Sequence, residues 1–243
     1  MEYQIYLLKI LILSISLSLF AQEIDISSIS KKIYQNECSS NPKYLVHWNR
    51  GENFPSLGIG HFIWYPKGVH ERFDESFPTL IQDMQNRGVK TPLWLTKEAP
   101  WQNRAEMIHD KQRVEDLRKF LIDTKDIQAS FMQQRLDNWI AKIDSKIAKR
   151  NFIKVSNEKM GYYLLIDYLN FKGSGLKKSE RYKNQGWGLL QVLECMKSTL
   201  YPKIEFAKCA KKLLKLRVKN SPKSRGENRW LKGWFNRIDT YIL

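Results

Sequence analysis

The sequence predicts an α+β fold, mostly α-helical, with a small β-hairpin near the start of the mature chain. Apolar residues recur at helical spacing through most of the second half. Gly (12) and Pro (8) are too few for a many-turn β architecture, and one early glycine-rich segment alternates like a strand. The 243 residues and 28.8 kDa allow one large or two small domains. A hydrophobic fraction of 42% with 8 Trp, 11 Tyr and 11 Phe excludes a largely disordered chain.

Residues 1–21 place Lys9 before an apolar run from Ile10 to Phe20 and end on the small residue Ala21, the pattern of a secretory signal peptide. The run is short for a membrane span of ~20 residues, and no later stretch is apolar enough to cross. The expectation is a cleaved leader at 1–21, a single domain over 22–243, a periplasmic or secreted location and no integral membrane span after cleavage. Removing Glu2 and Lys9 with the leader leaves the net charge at +16. That charge attracts polyanions. Export points to an anionic envelope polymer, so no nucleic-acid partner is expected. Lys197 to Arg225 is the densest basic block, with Glu205 its single acid.

Along the mature chain, Ile26, Ile29 and Ile33 mark a helix with Ser27 or Ser28 as N-cap, and the next step of four puts Glu37 on its apolar face. A loop with Pro42, Gly51 and Pro55 follows. Ser56 to Trp64 reads as a strand in which Gly58 and Gly60 permit close approach of a backbone or ligand. Phe77 to Asn86 is a short helix with Phe77, Leu80, Ile81 and Met84 inside. Val114, Leu117 and Leu121 mark another, Ile127 through Ile147 a long one, and Met160, Tyr163, Leu164 and Asp167 a third. Beyond a loop from Lys172 to Gln185 come helices around Leu189–Met196, Ile204–Leu216 and Arg229–Tyr241, the last packed through Trp230, Trp234 and Ile238.

Three cysteines, Cys38, Cys195 and Cys209, allow one disulfide at most. Cys195 and Cys209 lie in neighbouring helices that can fold back on each other. Cys38 has no histidine pattern beside it that would make it a nucleophile. The four histidines, His47, His61, His70 and His109, have no zinc-type spacing, and no phosphate- or dinucleotide-binding glycine motif occurs. No metal and no cofactor is expected.

The residues that can do chemistry are Glu37, the loop with Asn49, Arg50 and Glu52, then Ser56 and His61. A carboxyl group on the apolar face of a helix end is partly desolvated, which favours a neutral form able to act as general acid. Cleaving a glycosidic bond needs such an acid, with a second polar group opposite to position water or stabilise the oxocarbenium-like transition state. Glu52 is the nearest candidate for that second role.

The run KIYQNE, a loop, then SLGIGHFI resembles the phage-type lysozymes, in which a helix ending in a catalytic glutamate precedes a hairpin with a T-I-G-x-G-H segment. The resemblance covers roughly residues 29–64. It implies a lysozyme-like fold, with Glu37 as catalytic acid, Ser56 in the place of the hairpin threonine and His61 closing the motif. The family's hairpin carboxylate falls where Arg50 stands, and Glu52 lies just beyond it. QGWGLLQVL (Gln185–Leu193) resembles the G-L-M-Q segment of the wider lysozyme-like superfamily.

The expected activity is cleavage of peptidoglycan glycan strands, by hydrolysis or by anhydro-forming transglycosylation. Glu37, Glu52 and Ser56 are its candidate catalytic residues. Trp48, Asn49, His61 and Trp64 are expected to bind substrate, the indoles by stacking on sugar faces. The competing expectation is a non-catalytic envelope protein that uses the same scaffold to bind peptidoglycan or a protein partner. Asn170, Lys172, Glu180 and Arg181 surround a glycine-containing loop that could form a cleft.

Overall fold

The computed structural model describes residues 24–71, 73–197 and 200–243, so the leader expected at 1–21 lies outside the described residues. Helix accounts for 60% and strand for 6%, with small antiparallel sheets. No helix of the described residues is long and apolar enough to cross a membrane.

Helix α1 (Ile26–Cys38) begins where Asp25, not Ser27 or Ser28, accepts the Ser28 backbone N–H at 2.9 Å. Asp25 lies two and three positions before these serines, and a carboxylate is as good an N-cap as a hydroxyl. The helix buries Ile29, Ile33 and Cys38 against the helices over Lys125–Ala141 and Gly161–Lys172, and its C-cap Ser39 is left-handed, φ 51°. A 3-10 turn at Pro42–Leu45 leads into strands β1 (Val46–His47), β2 (Ser56–Leu57) and β3 (Phe62–Ile63), antiparallel with β2 central. Ser56 pairs with His47 on one side and Ile63 on the other.

The continuous strand expected from Ser56 to Trp64 is therefore two short strands around a turn at 58–61. Gly58 (φ 68°) and His61 (φ 49°) take left-handed conformations that an extended strand does not admit. What approaches Gly58 is the buried side chain of Gln128. A Cβ at Gly58 would lie 2.3 Å from Gln128 Oε1, which accepts the Ile59 N–H at 2.9 Å.

Helix α2 spans Phe77–Asn86 as the spacing predicts. Helices α3 (Arg104–His109) and α4 (Lys111–Asp123) follow. The long helix expected through Ile127–Ile147 is two, α5 (Lys125–Ala141) and α6 (Lys146–Ser156), because Ser145 caps a new helix by accepting the Ala148 N–H. Helix α7 (Gly161–Lys172) leads to a second hairpin, β4 (Arg181–Tyr182) with β5 (Gln185–Gly186), then to α8 (Leu189–Cys195), α9 (Pro202–Asn220) and α10 (Leu231–Asp239). A Cys195–Cys209 disulfide ties α8 to α9. Helix α9 also packs on α6, α10 and the second hairpin. Most of the buried apolar side chains, from Ile29 to Tyr241, form one cluster, while Phe54 and Tyr65 pack on each other outside it.

Candidate functional site

Four elements converge on Glu37, the penultimate residue of α1. Its carboxylate oxygen Oε1 accepts a hydrogen bond from Arg237 of α10, and Oε2 lies 4.0 Å from His61 Nδ1 in the β2–β3 turn. The side chain is 10% exposed. Helix α7 reaches the same turn where Asn170 Nδ2 donates to the Gly60 carbonyl at 3.0 Å. Asn36, beside Glu37, donates to the Tyr163 hydroxyl of α7.

Arg237 joins two carboxylates. Its Nε and Nη2 donate to both oxygens of Asp167 at 2.9 and 2.7 Å, and the Tyr241 hydroxyl donates to Asp167 as well. Asp167 is 1% exposed. Burial alone would lower the Arg237 guanidinium's affinity for its proton, but Asp167 and then Glu37 outweigh it and hold the group well above its ordinary range. Burial, followed by the charge of Asp167, pushes the Tyr163 and Tyr241 hydroxyls up, so both remain protonated.

A second buried polar cluster adjoins this one. Glu227, 1% exposed, accepts from Arg217 Nε at 2.7 Å, from Arg217 Nη2 at 3.0 Å and from Tyr182 at 2.9 Å. Its burial opposes charge, yet the hydrogen bonds and charge of Arg217 hold the carboxyl below its ordinary value. Lys172 lies between the clusters with Nζ 3.4 Å from the Trp234 ring centre and 3.8 Å from that of Phe171. The ring faces favour the ammonium. Burial, with Arg217 and Arg237 alongside, outweighs them and pushes the amine down to about 5.

The other expected residues are placed differently. Glu52, half-buried in the β1–β2 loop, accepts from Asn49 Nδ2 at 3.0 Å, and Asn49 Oδ1 meets His47 Nε2 at 2.9 Å. Ser56 sits in the central strand, half-buried. Trp48 and Trp64 are core side chains, 2% and 0% exposed, so neither indole lines an open groove. The Trp48 N–H donates to the Glu52 carbonyl and the Trp64 N–H to that of Lys97, while Trp64 packs with Phe77, Trp94 and Trp101. An indole whose N–H is satisfied by a nearby carbonyl loses nothing by full burial. Cys38 is buried and unbridged, and burial followed by the charge of Glu37 pushes its thiol up to about 12, which makes it a poor nucleophile.

The polar loop after α7 folds on itself. Glu180 accepts from the backbone of Ser174, Gly175 and Lys177, and Arg181 donates to the Gly175 carbonyl. Gln191, in the GLLQ run, accepts the Gly188 N–H and donates to Gly175, a tie between α8 and that loop. Among the described residues no group of three or more His, Cys, Asp or Glu could hold a metal ion. On α9 the basic block divides: Lys208, Lys212, Lys215 and Lys219 are exposed along one stripe, whereas Lys211 and Arg217 pair with Asp239 and Glu227.

Sequence reasoning missed Arg237 and Tyr241. The usable signal was Asp167, which continues the Tyr163–Leu164 face much as Glu37 continues that of Ile29 and Ile33. A carboxylate on a buried face demands a buried cation or donors. No model of a known protein family matches the chain, and no curated protein or solved structure matches it either.

Proposed function

We propose that this protein is an exported glycosidase with a lysozyme-like scaffold that cleaves the glycan strands of peptidoglycan, with Glu37 as general acid. The observation that carries the reading is the meeting of the helix-end carboxyl group with the SLGIGH turn, Oε2 facing His61 while Arg237 holds Oε1. In this reading Oε2 delivers the proton to the glycosidic oxygen. The step draws on the protonated form of Glu37, and the negative charge that returns to its carboxylate as the proton leaves is met by the Arg237 guanidinium already in place. Glu52 and Ser56 of the adjoining hairpin are the groups for the opposite side of the sugar, where water is positioned or the oxocarbenium-like charge is met. Hydrolytic and anhydro-forming cleavage share the protonation step, and both fall within the proposal. The +16 charge and the exposed lysine stripe of α9 would hold the enzyme on an anionic wall.

Purified sacculi turned over by the wild type and by Glu37→Gln test this directly. Loss of the proton donor lowers the rate of turbidity clearance by ~10²–10⁴-fold, with the melting temperature retained. Undiminished clearance by Glu37→Gln overturns the assignment. The burial of Trp48, Trp64 and most of Glu37 favours a second reading, a scaffold that binds peptidoglycan without cutting it. In that case both proteins co-sediment with sacculi and neither clears them.

A further inference from the structure

A cleft of about 450 Å³ lies between β1 and the helix pair α3–α4, and neither Glu37, Asp167 nor Arg237 lines it. Its size falls within the ~300–1,000 Å³ of small-ligand sites. Part of its lining is apolar: Met107 is buried, Val114 is half-buried, and Ile108 stands 47% exposed. Its rim is basic, with His47, Arg104, Lys111 and Arg118 against the single acid Glu115.

Two of the cations are uncommitted in part. Arg118 pairs with Glu115 through Nη1, yet its Nε is buried with no hydrogen-bond partner among the described residues. Its partner Glu115 is largely exposed, and such a pair is worth little, so the guanidinium can turn to an incoming acceptor. Lys111 is exposed at the rim and has no ion-pair partner among the described residues. Arg104 is fixed by donating Nε to the Trp48 carbonyl at 2.8 Å, which anchors α3 to the hairpin and shapes that side of the cleft.

We propose that this cleft binds a carboxylate carried on a short aliphatic body, of the size of a dipeptide with a free C-terminus. Arg118 and Lys111 receive the carboxylate, and the aliphatic part covers Ile108, Met107 and Val114. A bare oxyanion such as phosphate would leave that apolar lining in water, so the ligand needs both parts. The site is independent of the chemistry assigned to Glu37.

The test is isothermal titration of the full chain, at fixed low ionic strength, with N-acetyl-alanyl-alanine, its C-terminal amide and inorganic phosphate. The free acid binds, and the amide and phosphate bind about tenfold more weakly or worse. Lys111→Glu and Arg118→Gln each weaken the acid about tenfold, while Lys149→Glu on α6, which does not line the cleft, leaves it unchanged. Lys111 is exposed, so its variant keeps the test valid if Arg118→Gln fails to fold. The proposal is overturned if the amide or phosphate binds as well as the acid, or if Lys111→Glu has no effect. It is overturned equally if Lys149→Glu weakens binding as much as the rim variants do.

Discussion

The hairpin and the C-terminal helices both present polar clusters, but they are built on opposite principles. On the hairpin, His47, Asn49 and Glu52 pair with near neighbours in sequence, at or near the surface. In the C-terminal half, Arg237 reaches back 70 residues to Asp167 and 200 to Glu37, and Arg217 meets Glu227 in a setting with almost no solvent. The first kind of cluster can rearrange around a ligand at little cost. The second fixes geometry, because a buried charge deprived of its partner is strongly destabilising. Glu37 stands where the two meet, with one oxygen held by Arg237 of the buried network and the other facing His61 in the hairpin turn.

Breaking the rigid side has the largest effect. Arg237→Ala leaves Asp167 buried without its cation and lowers stability by about 3–5 kcal/mol, measured by chemical denaturation. If the loss is below ~1 kcal/mol, a size typical of exposed pairs, the contrast between the two clusters fails. Next comes the Cys195–Cys209 bridge, whose separation of 14 residues corresponds to about 3 kcal/mol of loop-closure entropy. The Cys195→Ser variant should show that loss, and the reducing agent that imposes it on the wild type should leave the variant unaffected.

Lys172 sharpens the comparison through pH. The unfolded chain keeps this proton up to about pH 10.5, whereas the folded chain releases it above about 5. Between those values the unfolded state binds more protons, so the Lys172 contribution makes stability rise with pH across the window. Lys172→Met removes that slope and stabilises the protein near neutral pH, because the variant has no proton to release on folding. Melting curves at several pH values check both. An unchanged slope means that the amine stays charged over the Trp234 and Phe171 rings. The smallest stability effect belongs to the hairpin: Asn49→Ala changes stability by no more than ~0.5 kcal/mol, although it frees Glu52 and lowers activity on sacculi.

Local order was legible where local physics sets it. The Ile26–Ile29–Ile33 stripe and the Phe77–Met84 face gave α1 and α2 within a residue or two, and the two cysteines on adjacent helices pair. Apolar spacing alone misled across Lys142–Ser145, where Ile143 is buried between the two helices and keeps the periodicity going, while the cap at Ser145 was the overlooked stop signal. Helix α3 is too short for a period to register, although Asn103 and Glu106 cap it in both directions. The tryptophans misled for another reason. Sequence shows that an indole has a polar N–H, but not that a carbonyl from Lys97 or Glu52 waits inside to satisfy it. Of the candidate site, Glu37 and His61 were readable as a pair. Arg237 was not, since only the packing of α10 on the rest of the chain brings it there.

Mass spectrometry of the soluble fragments released from purified sacculi by the wild type and by Glu37→Gln tests the central claim most directly. The account predicts saccharide fragments severed at a glycosidic bond, from the wild type alone. Fragments severed at peptide bonds, or equal release by both proteins, would contradict it.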